Sequence, residues 1–541
     1  MVPGNLEPSN LGGAGTNTAA SGRDVIIAGG GPTGLWLACE LALAGVQVTV
    51  LEQLARPTGL SKALGLHPRT MEMLDHRGIL DRFVNGYPAP PFVNFGMFPL
   101  DVRTIEFPHP FGVAIPQARV EQILEERAGE LGTEVRRGHT VTGLQQRNDS
   151  VVLYVRTAND EYQLAAPYVV GCDGGHSVVR KLSGIAFPGA EPSVVGRMGD
   201  VKLSRSALDR LKKSIPQLGG RDTGIARTDS GNFAIVPLGN EIHRVAAMEQ
   251  QPPADHRELS MDELRGAIQR VTGIDLPMSD PVWLSTATDS SRLAEQYRKG
   301  RVLLAGDAAH VHWAYGGMGL QTGLQDAGNL GWKLAAVIQG WASAQLLDSY
   351  HSERHAVGER LLMSTRAQEA LARPGDHVTA LRALMGELLK NEETFRRIVQ
   401  MVTSVDIRYP MGNSTGEEHD LTGRWAPNLV LAFGSGTKTV AELMGPGKGI
   451  FIDLADRESL RKVASGWRNR IRVITGRCYG RPAKLDAFLI RPDGYVCWVA
   501  MLDNRDADCE RTLTSALHQW FGDSTENKSN QETSTAASAG L

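Results

Sequence analysis

Residues 24–34 read DVIIAGGGPTG, and nothing else in the chain constrains the fold as tightly. A short β-branched run ends in a glycine cluster. The next stretch, LWLACELALAG, carries Leu35, Ala38, Leu41 and Ala42 at helical spacing until Gly45 stops it. VQVTVLE follows as a second strand ending on Glu52. Strand, tight turn, helix and strand in this order open an α/β domain with a nucleotide crevice. Gly29 permits the turn, Gly31 lets backbone approach a pyrophosphate, and Gly34 lets helix and strand pack closely. The helix start offers free N–H groups and a positive dipole end to phosphates. Glu52 stands where a carboxylate accepts from ribose hydroxyls, which favours FAD or NAD over NADP. The competing reading is a glycine-rich turn with Glu52 at a solvated strand end.

Two further clusters repeat the theme. PYVVGCDGGHSVVRKLSGIA (167–186) runs from strand to Gly171, Asp173, Gly174 and Gly175, then to a helix with Arg180. GRVLLAGDAAH (300–310) ends a strand at Gly306-Asp307, before the glycine-dense YGGMGLQ (315–321) and the helical TGLQDAGNLGWKLAAVI. Each Asp alone could simply cap a helix. Three such strand ends in one chain make a framework, and they absorb the functionally telling part of a glycine total of 60 in 541 residues.

Composition excludes several classes. With 57 Lys+Arg against 60 Asp+Glu the net charge is −3, so bulk charge does not hold this chain to nucleic acid or an anionic membrane. No run approaches the roughly 18 apolar residues of a membrane span. The five cysteines contain no CxxC pair, which argues against zinc or dithiol chemistry and fits a reducing cytoplasm. Residues 1–22 lack the pattern of a signal peptide and, like 523–541, read as disordered tails.

In their order, GGGPTG, GCDGGHSVVRK and AGDAAH resemble the motifs of the class A flavoprotein monooxygenases, the para-hydroxybenzoate hydroxylase family. LHPRTMEML, IPQARVEQIL and LQDAGNLGWKLAAV extend the match. LIRPDGYVCWVA resembles the domain appended in the branch that tailors aromatic polyketides in antibiotic biosynthesis. The resemblance spans roughly residues 23–505. It implies a Rossmann-like FAD-binding domain with an inserted antiparallel-sheet substrate domain and a C-terminal thioredoxin-like domain. It also implies FAD as cofactor, NADPH or NADH as transient reductant, and O₂ as co-substrate. The reaction implied is hydroxylation of a polycyclic aromatic polyketide through a flavin C4a-hydroperoxide. The alternative is Baeyer–Villiger insertion or oxidative ring opening on the same substrate class. The enzyme is expected to be cytoplasmic, metal-free, and a monomer or homodimer.

Carried over by position, Gly29, Gly31, Pro32, Thr33 and Gly34 hold the pyrophosphate and Glu52 the adenosine ribose. Lys62 replaces the family's arginine at the phosphates, a point charge in place of a planar fork. Gln117 approaches the flavin phosphate and ribityl chain, and Val141 contacts the adenine. Asp307 binds ribityl hydroxyls, and Gly317, Gly319 and Leu320 line the isoalloxazine. Asp173 serves structure around both FAD and the incoming nicotinamide, with Arg180 as its structural partner. The flavin loop departs from the family pattern, with Ala314, Met318 and Gln321 where proline, glutamine and asparagine are usual.

No catalytic base is assigned; His67, His243, His310 and His312 are candidates by type, with His310 favoured as structural. Trp313 and Tyr315 either stack on the substrate or pack in the core. His243 either faces the pocket or is a satisfied surface or core histidine. A flavin-dependent halogenase is disfavoured by the lack of a WxW pair, and a non-catalytic nucleotide carrier by the flavin-ring loop.

The FAD-binding domain is expected over 23–186 and 290–400. The substrate domain is expected over 187–289 with about 92–117, its alternating stretches reading as antiparallel strands. Residues 404–522 are expected to form a third unit.

Overall fold

The structure, a computed structural model, describes residues 22–524 apart from 104, 106–111, 251–257, 314, 413–418, 435, 446 and 479–483. Nearly all of the two expected tails, and Ala314, lie outside the described residues.

Strand β1 (Val25–Ala28) is buried on both faces, as a central parallel strand must be. Helix α1 (Pro32–Leu43) and strand β2 (Val48–Glu52) follow. β1 pairs in parallel with β2 on one side and with β3 (Tyr168–Gly171) on the other. Ala28 therefore lies level with both Leu51 and Gly171. Because the chain steps from β1 to opposite sides, a crevice opens beyond the strand ends there.

Between β3 and the next strand of this sheet the chain builds a second sheet. It contains β4 (Val194–Lys202), β5 (Gly224–Thr228), β6 (Gly231–Gly239), β7 (Ile242–Gln250) and β8 (Ser279–Thr288). All neighbours are antiparallel, in the order β5-β6-β7-β4-β8. The two-residue period divides its faces. Val201, Phe233, Ile235, Val245 and Ala247 pack with residues of helices Arg205–Ser214 and Met261–Thr272, the valine, isoleucine and phenylalanine side chains each contributing roughly 1.5–3 kcal/mol. Met198, Ala234, Ala246 and Met248 occupy the other face.

The chain then returns to the first sheet as β9 (Val302–Leu304), parallel to β3 with Leu304 level with Gly171. The full order is Arg298–Lys299, β9, β3, β1, β2, Glu134–Arg137. The three glycine-rich turns thus leave adjacent strands at one edge. Helix α2 (Met318–Ile338), almost entirely buried, and helix α3 (Leu346–Ala372) complete this unit.

Residues 92–101 form a hairpin whose Val93, Phe95 and Leu100 pack against Met318, Leu361, Val399 and Val402. Its strands pair with each other and are not part of the five-stranded sheet, although Phe92 and Val93 reach the cavity described below. The C-terminal part carries a four-stranded sheet, ordered Ile471–Thr475, Gly449–Asp453, Leu485–Ile490, Val496–Met501. Its helix Asp506–Phe521 meets α2 where Trp520 and Phe521 approach Trp332, with ring centroids 6.5 and 6.4 Å apart. No described helix is long and apolar enough to cross a membrane.

Candidate active site

The first glycine turn shows which of its glycines serve the protein and which a ligand. Gly29 has φ +107, and a Cβ there would run into the carbonyl of Cys172 in the second cluster. A Cβ on Gly34 would strike the carbonyl of Gly29. Gly31 differs, because nothing lies within 4 Å of its Cβ position, and it lines a cavity of 970 Å³. Gly31 is also the N-cap of α1 and provides no side-chain cap, so first-turn amides lack a side-chain acceptor. Open space beside uncapped amides suits a phosphate. The Thr33 side chain packs against Gly306, where a Cβ would come 2.7 Å from its hydroxyl, joining the first cluster to the third.

Around this turn the cavity is lined by Gly29, Pro32, Thr33, Glu52, Lys62, Gln117, Val141, Asp173, Asp307, Gly317, Gly319 and Leu320. Of the cofactor-holding positions carried over by resemblance, Gly34 alone stays behind the wall, where it serves packing. Glu52 accepts the Gly30 amide at 2.7 Å on one oxygen and the Leu54 amide at 2.8 Å on the other. It therefore shapes the turn, and a carboxylate retains lone pairs for further donors. Gln117 accepts the Ala63 amide at 3.1 Å and donates to Glu121 at 2.8 Å, fixing the loop that carries Lys62. Asp173 accepts the amides of Val178 and Val179 at 2.7 and 3.0 Å and so starts the helix Val178–Leu182. Arg180 donates to the carbonyls of Ala308 and Gly175, both at 2.9 Å, tying the second cluster to the third. Asp307 is exposed to the cavity.

The opposite wall comes from the second sheet. Trp313 is 8% exposed and packs on Val194, Ala246 and Met248, while Tyr315 leans on it with ring centroids 6.0 Å apart. Both line the cavity, so packing and access to a ligand coexist. Gly196 makes room for Trp313, since a Cβ there would come 2.7 Å from the indole. His243 requires a correction. Arg244, Ala246 and Met248 face the cavity, and strand alternation sends His243 to the opposite, helix-covered face, level with Val201. There its Nδ1 lies 3.1 Å from the Glu241 carbonyl. Alternation was readable in EIHRVAAME, but its phase depended on which face the helices covered.

Arg244 is the residue sequence reasoning passed over. It is the one charged side chain on a strand face it shares with Ile242, Ala246 and Met248, which was the available signal. It pairs with Asp200 at 2.7 and 2.9 Å, donates to the carbonyl of Lys62 at 2.9 Å and to that of Ser61, and stacks over Trp283 at 4.9 Å. The substrate-side sheet thereby grips the loop that presents Lys62.

Two cavity-lining histidines flank the flavin-ring loop. His67 Nε2 is 3.6 Å from the Cβ position of Gly317, and His312 Nε2 is 3.2 Å from that of Gly319. Burial lowers both from the usual 6.5 to about 4, so both are neutral at pH 7. Gln321, at the loop's altered asparagine position, accepts from the His67 amide at 3.1 Å and Thr70 at 2.6 Å, and donates to the Gly65 carbonyl at 3.0 Å. The unusual residue thus ties two loops together.

Residues 23–365 match the FAD binding domain family, and residues 419–524 match the C-terminal domain of aromatic-ring hydroxylases. The chain belongs to the class A flavoprotein monooxygenases. The monooxygenase is 42% identical to the 12-dehydrotetracycline 5-monooxygenase/anhydrotetracycline 6-monooxygenase of Streptomyces rimosus, over 92% of this chain and 99% of that protein. It is 39% identical to a dialkyldecalin synthase of Streptomyces rugosporus, over 92% and 98%. Among solved structures it is similar to the anhydrotetracycline hydroxylase OxyS of S. rimosus, with TM-score 0.85 and 40% identity over 93% and 99% of the two chains. The monooxygenase is an FAD enzyme, and its open Gly31 cradle and uncapped helix start fit that cofactor.

Proposed function

We propose that this monooxygenase hydroxylates a polycyclic aromatic polyketide at the expense of NADPH or NADH and O₂. One observation carries the reading. The cavity continues without a break from the Gly31 turn to an apolar wall of Met198, Ala234, Ala246, Met248 and Trp313. The single charged side chain in the sheet's part of that wall, Arg244, is spent on Asp200 and on backbone carbonyls. Such a slot suits a flat, largely apolar molecule, and two similar proteins are named for anhydrotetracycline as their substrate.

FAD supplies what side chains lack, the means to take electrons from a nicotinamide and to activate oxygen. The protein's share is positional. The amides of α1 and the Gly31 edge would hold the pyrophosphate, Glu52 the ribose and Lys62 the phosphate charge. Gln117 and Asp307 would serve the ribityl chain, Val141 the adenine, and Gly317, Gly319 and Leu320 the ring. Neutral His67 and His312 keep the reacting end free of fixed charge, and Trp313 and Tyr315 exclude water from it. We read residues 404–522 as a thioredoxin-like domain that does packing work, supported by its mixed four-stranded sheet and flanking helices.

The purified protein should be yellow and should oxidise NADPH faster when a polyketide aglycone is added. A relative named as a dialkyldecalin synthase shows why turnover must be measured. If no aglycone in a broad panel stimulates NADPH oxidation, the proposal fails. A lactone product in place of a phenol would support the Baeyer–Villiger alternative.

A further inference from the structure

The motif LQDAGNLGWKLAAV has no part in the wall of that cavity. It forms the body of α2, where Asp326, Asn329 and Lys333 fall three and four residues apart on one face. All three are buried, and each meets a polar group from elsewhere in the chain. One Asp326 oxygen accepts the Gly306 amide at 3.0 Å and lies 2.7 Å from His310 Nε2, while the other accepts Arg354 Nε at 2.7 Å. Arg354 also donates to the Tyr409 hydroxyl at 2.9 Å and to the Thr322 carbonyl at 3.2 Å. Asn329 donates to Glu353 at 2.6 Å and to Asp493 at 3.1 Å, and Lys333 donates to Glu353 at 2.8 Å. Arg491 closes the set on Glu353 and Asp493. Tyr409 is seated on the C-terminal part, with its amide on the Gly423 carbonyl, the Gly423 amide on Val496, and its ring 4.4 Å from that of Tyr495.

Charges buried this deeply are costly unless every partner is present, and apolar packing would join two units more cheaply. The network is not closed on itself. It ends on the amide of Gly306, in the turn that presents Asp307 to the cavity. We propose that Asp326, Arg354 and Tyr409 form an interdomain relay that holds the Gly306–Asp307 turn in its flavin-binding position, so that the C-terminal unit sets how tightly FAD is held. The three are positioning residues, and none lines the cavity. The inference rests on the reading that Asp307 faces FAD.

The test is release of FAD from the purified holoenzyme on dilution, followed by the rise of flavin fluorescence. Tyr409→Phe removes one hydroxyl and keeps the ring stack. It should speed release or raise the dissociation constant about tenfold, the loss of one buried hydrogen bond to a charged partner. Thr512→Val breaks the Trp498–Thr512 bond of 3.0 Å elsewhere in the C-terminal unit. It should lower the melting temperature while leaving FAD affinity unchanged. Asp307→Ala separates the two readings, and the double variant with Tyr409→Phe should weaken FAD less than the product of the single effects. If Asp307→Ala weakens FAD and Tyr409→Phe does not, the relay is overturned and the site reading stands. If Asp307→Ala leaves FAD affinity intact, both are overturned. Should Tyr409→Phe fail to fold, Arg354→Lys, which keeps the charge and loses the fork, is judged by the same release.

Discussion

At Gly34 an added Cβ meets the carbonyl of Gly29, whereas at Gly31 it meets open cavity. The two alanine variants should therefore fail differently. Gly34→Ala forces backbone apart and should cost on the order of 3 kcal/mol or more, read as lost soluble protein or a lowered melting temperature. Gly31→Ala should fold with a normal melting temperature in the flavin-free form, but bind FAD at least about tenfold more weakly. Equal behaviour of the two would contradict the assignment of Gly31 to the ligand. His67 gives a pH prediction. Its folded value is lowered from 6.5 to about 4, so between those limits the unfolded chain binds the extra proton. Stability is then fully present above about pH 6.5 and falls as pH drops toward 4, by roughly 3 kcal/mol at 1.36 kcal/mol per unit. In thermal melts from pH 7 to 4, His67→Asn should show a flatter profile than the unaltered protein.

Among elements, β7 shows how little a strand's pattern says about which face is which. Its apolar alternation was visible, but His243 and Arg244 exchange their expected interest once the helices Arg205–Ser214 and Met261–Thr272 cover one side. The element's weight rests on Arg244, which bonds β7 to β4 through Asp200 and to the Lys62 loop through backbone carbonyls. Arg244→Met should leave Asp200 buried and uncompensated, costing about 3 kcal/mol or more. The Asp200→Asn/Arg244→Met pair should recover part of that stability in urea melts. It should still bind FAD weakly, because the loop lacks the bonds from Arg244 to the Ser61 and Lys62 carbonyls. Recovery of both together would mean that the clamp acts only on stability.

For the whole molecule, the buried charges between α2, α3 and the C-terminal part make the units interdependent. A chain ending at residue 403 would leave Glu353 without Arg491, Asn329 without Asp493 and Arg354 without Tyr409. It should be insoluble or should purify without flavin, checked by soluble yield and the visible spectrum. A soluble, yellow, FAD-loaded product would refute this interdependence.

What was legible in the sequence follows from local chemistry. A glycine that must turn, a helix start without a side-chain cap and a carboxylate at a strand end are specified by neighbours a few residues away, so the turn at 29–34 and the motifs at Asp173 and Asp307 could be read directly. The strand alternation in 194–250 was equally local. Only the tertiary structure decided what depends on long-range packing. It set the phase of that alternation, and it revealed the hold of Arg244 on a loop 182 residues earlier. It also showed the buried run from Gly306 through Asp326 and Arg354 to Tyr409. A charged side chain in a sequence shows its charge; which buried partner repays its desolvation is settled only when distant segments are brought together.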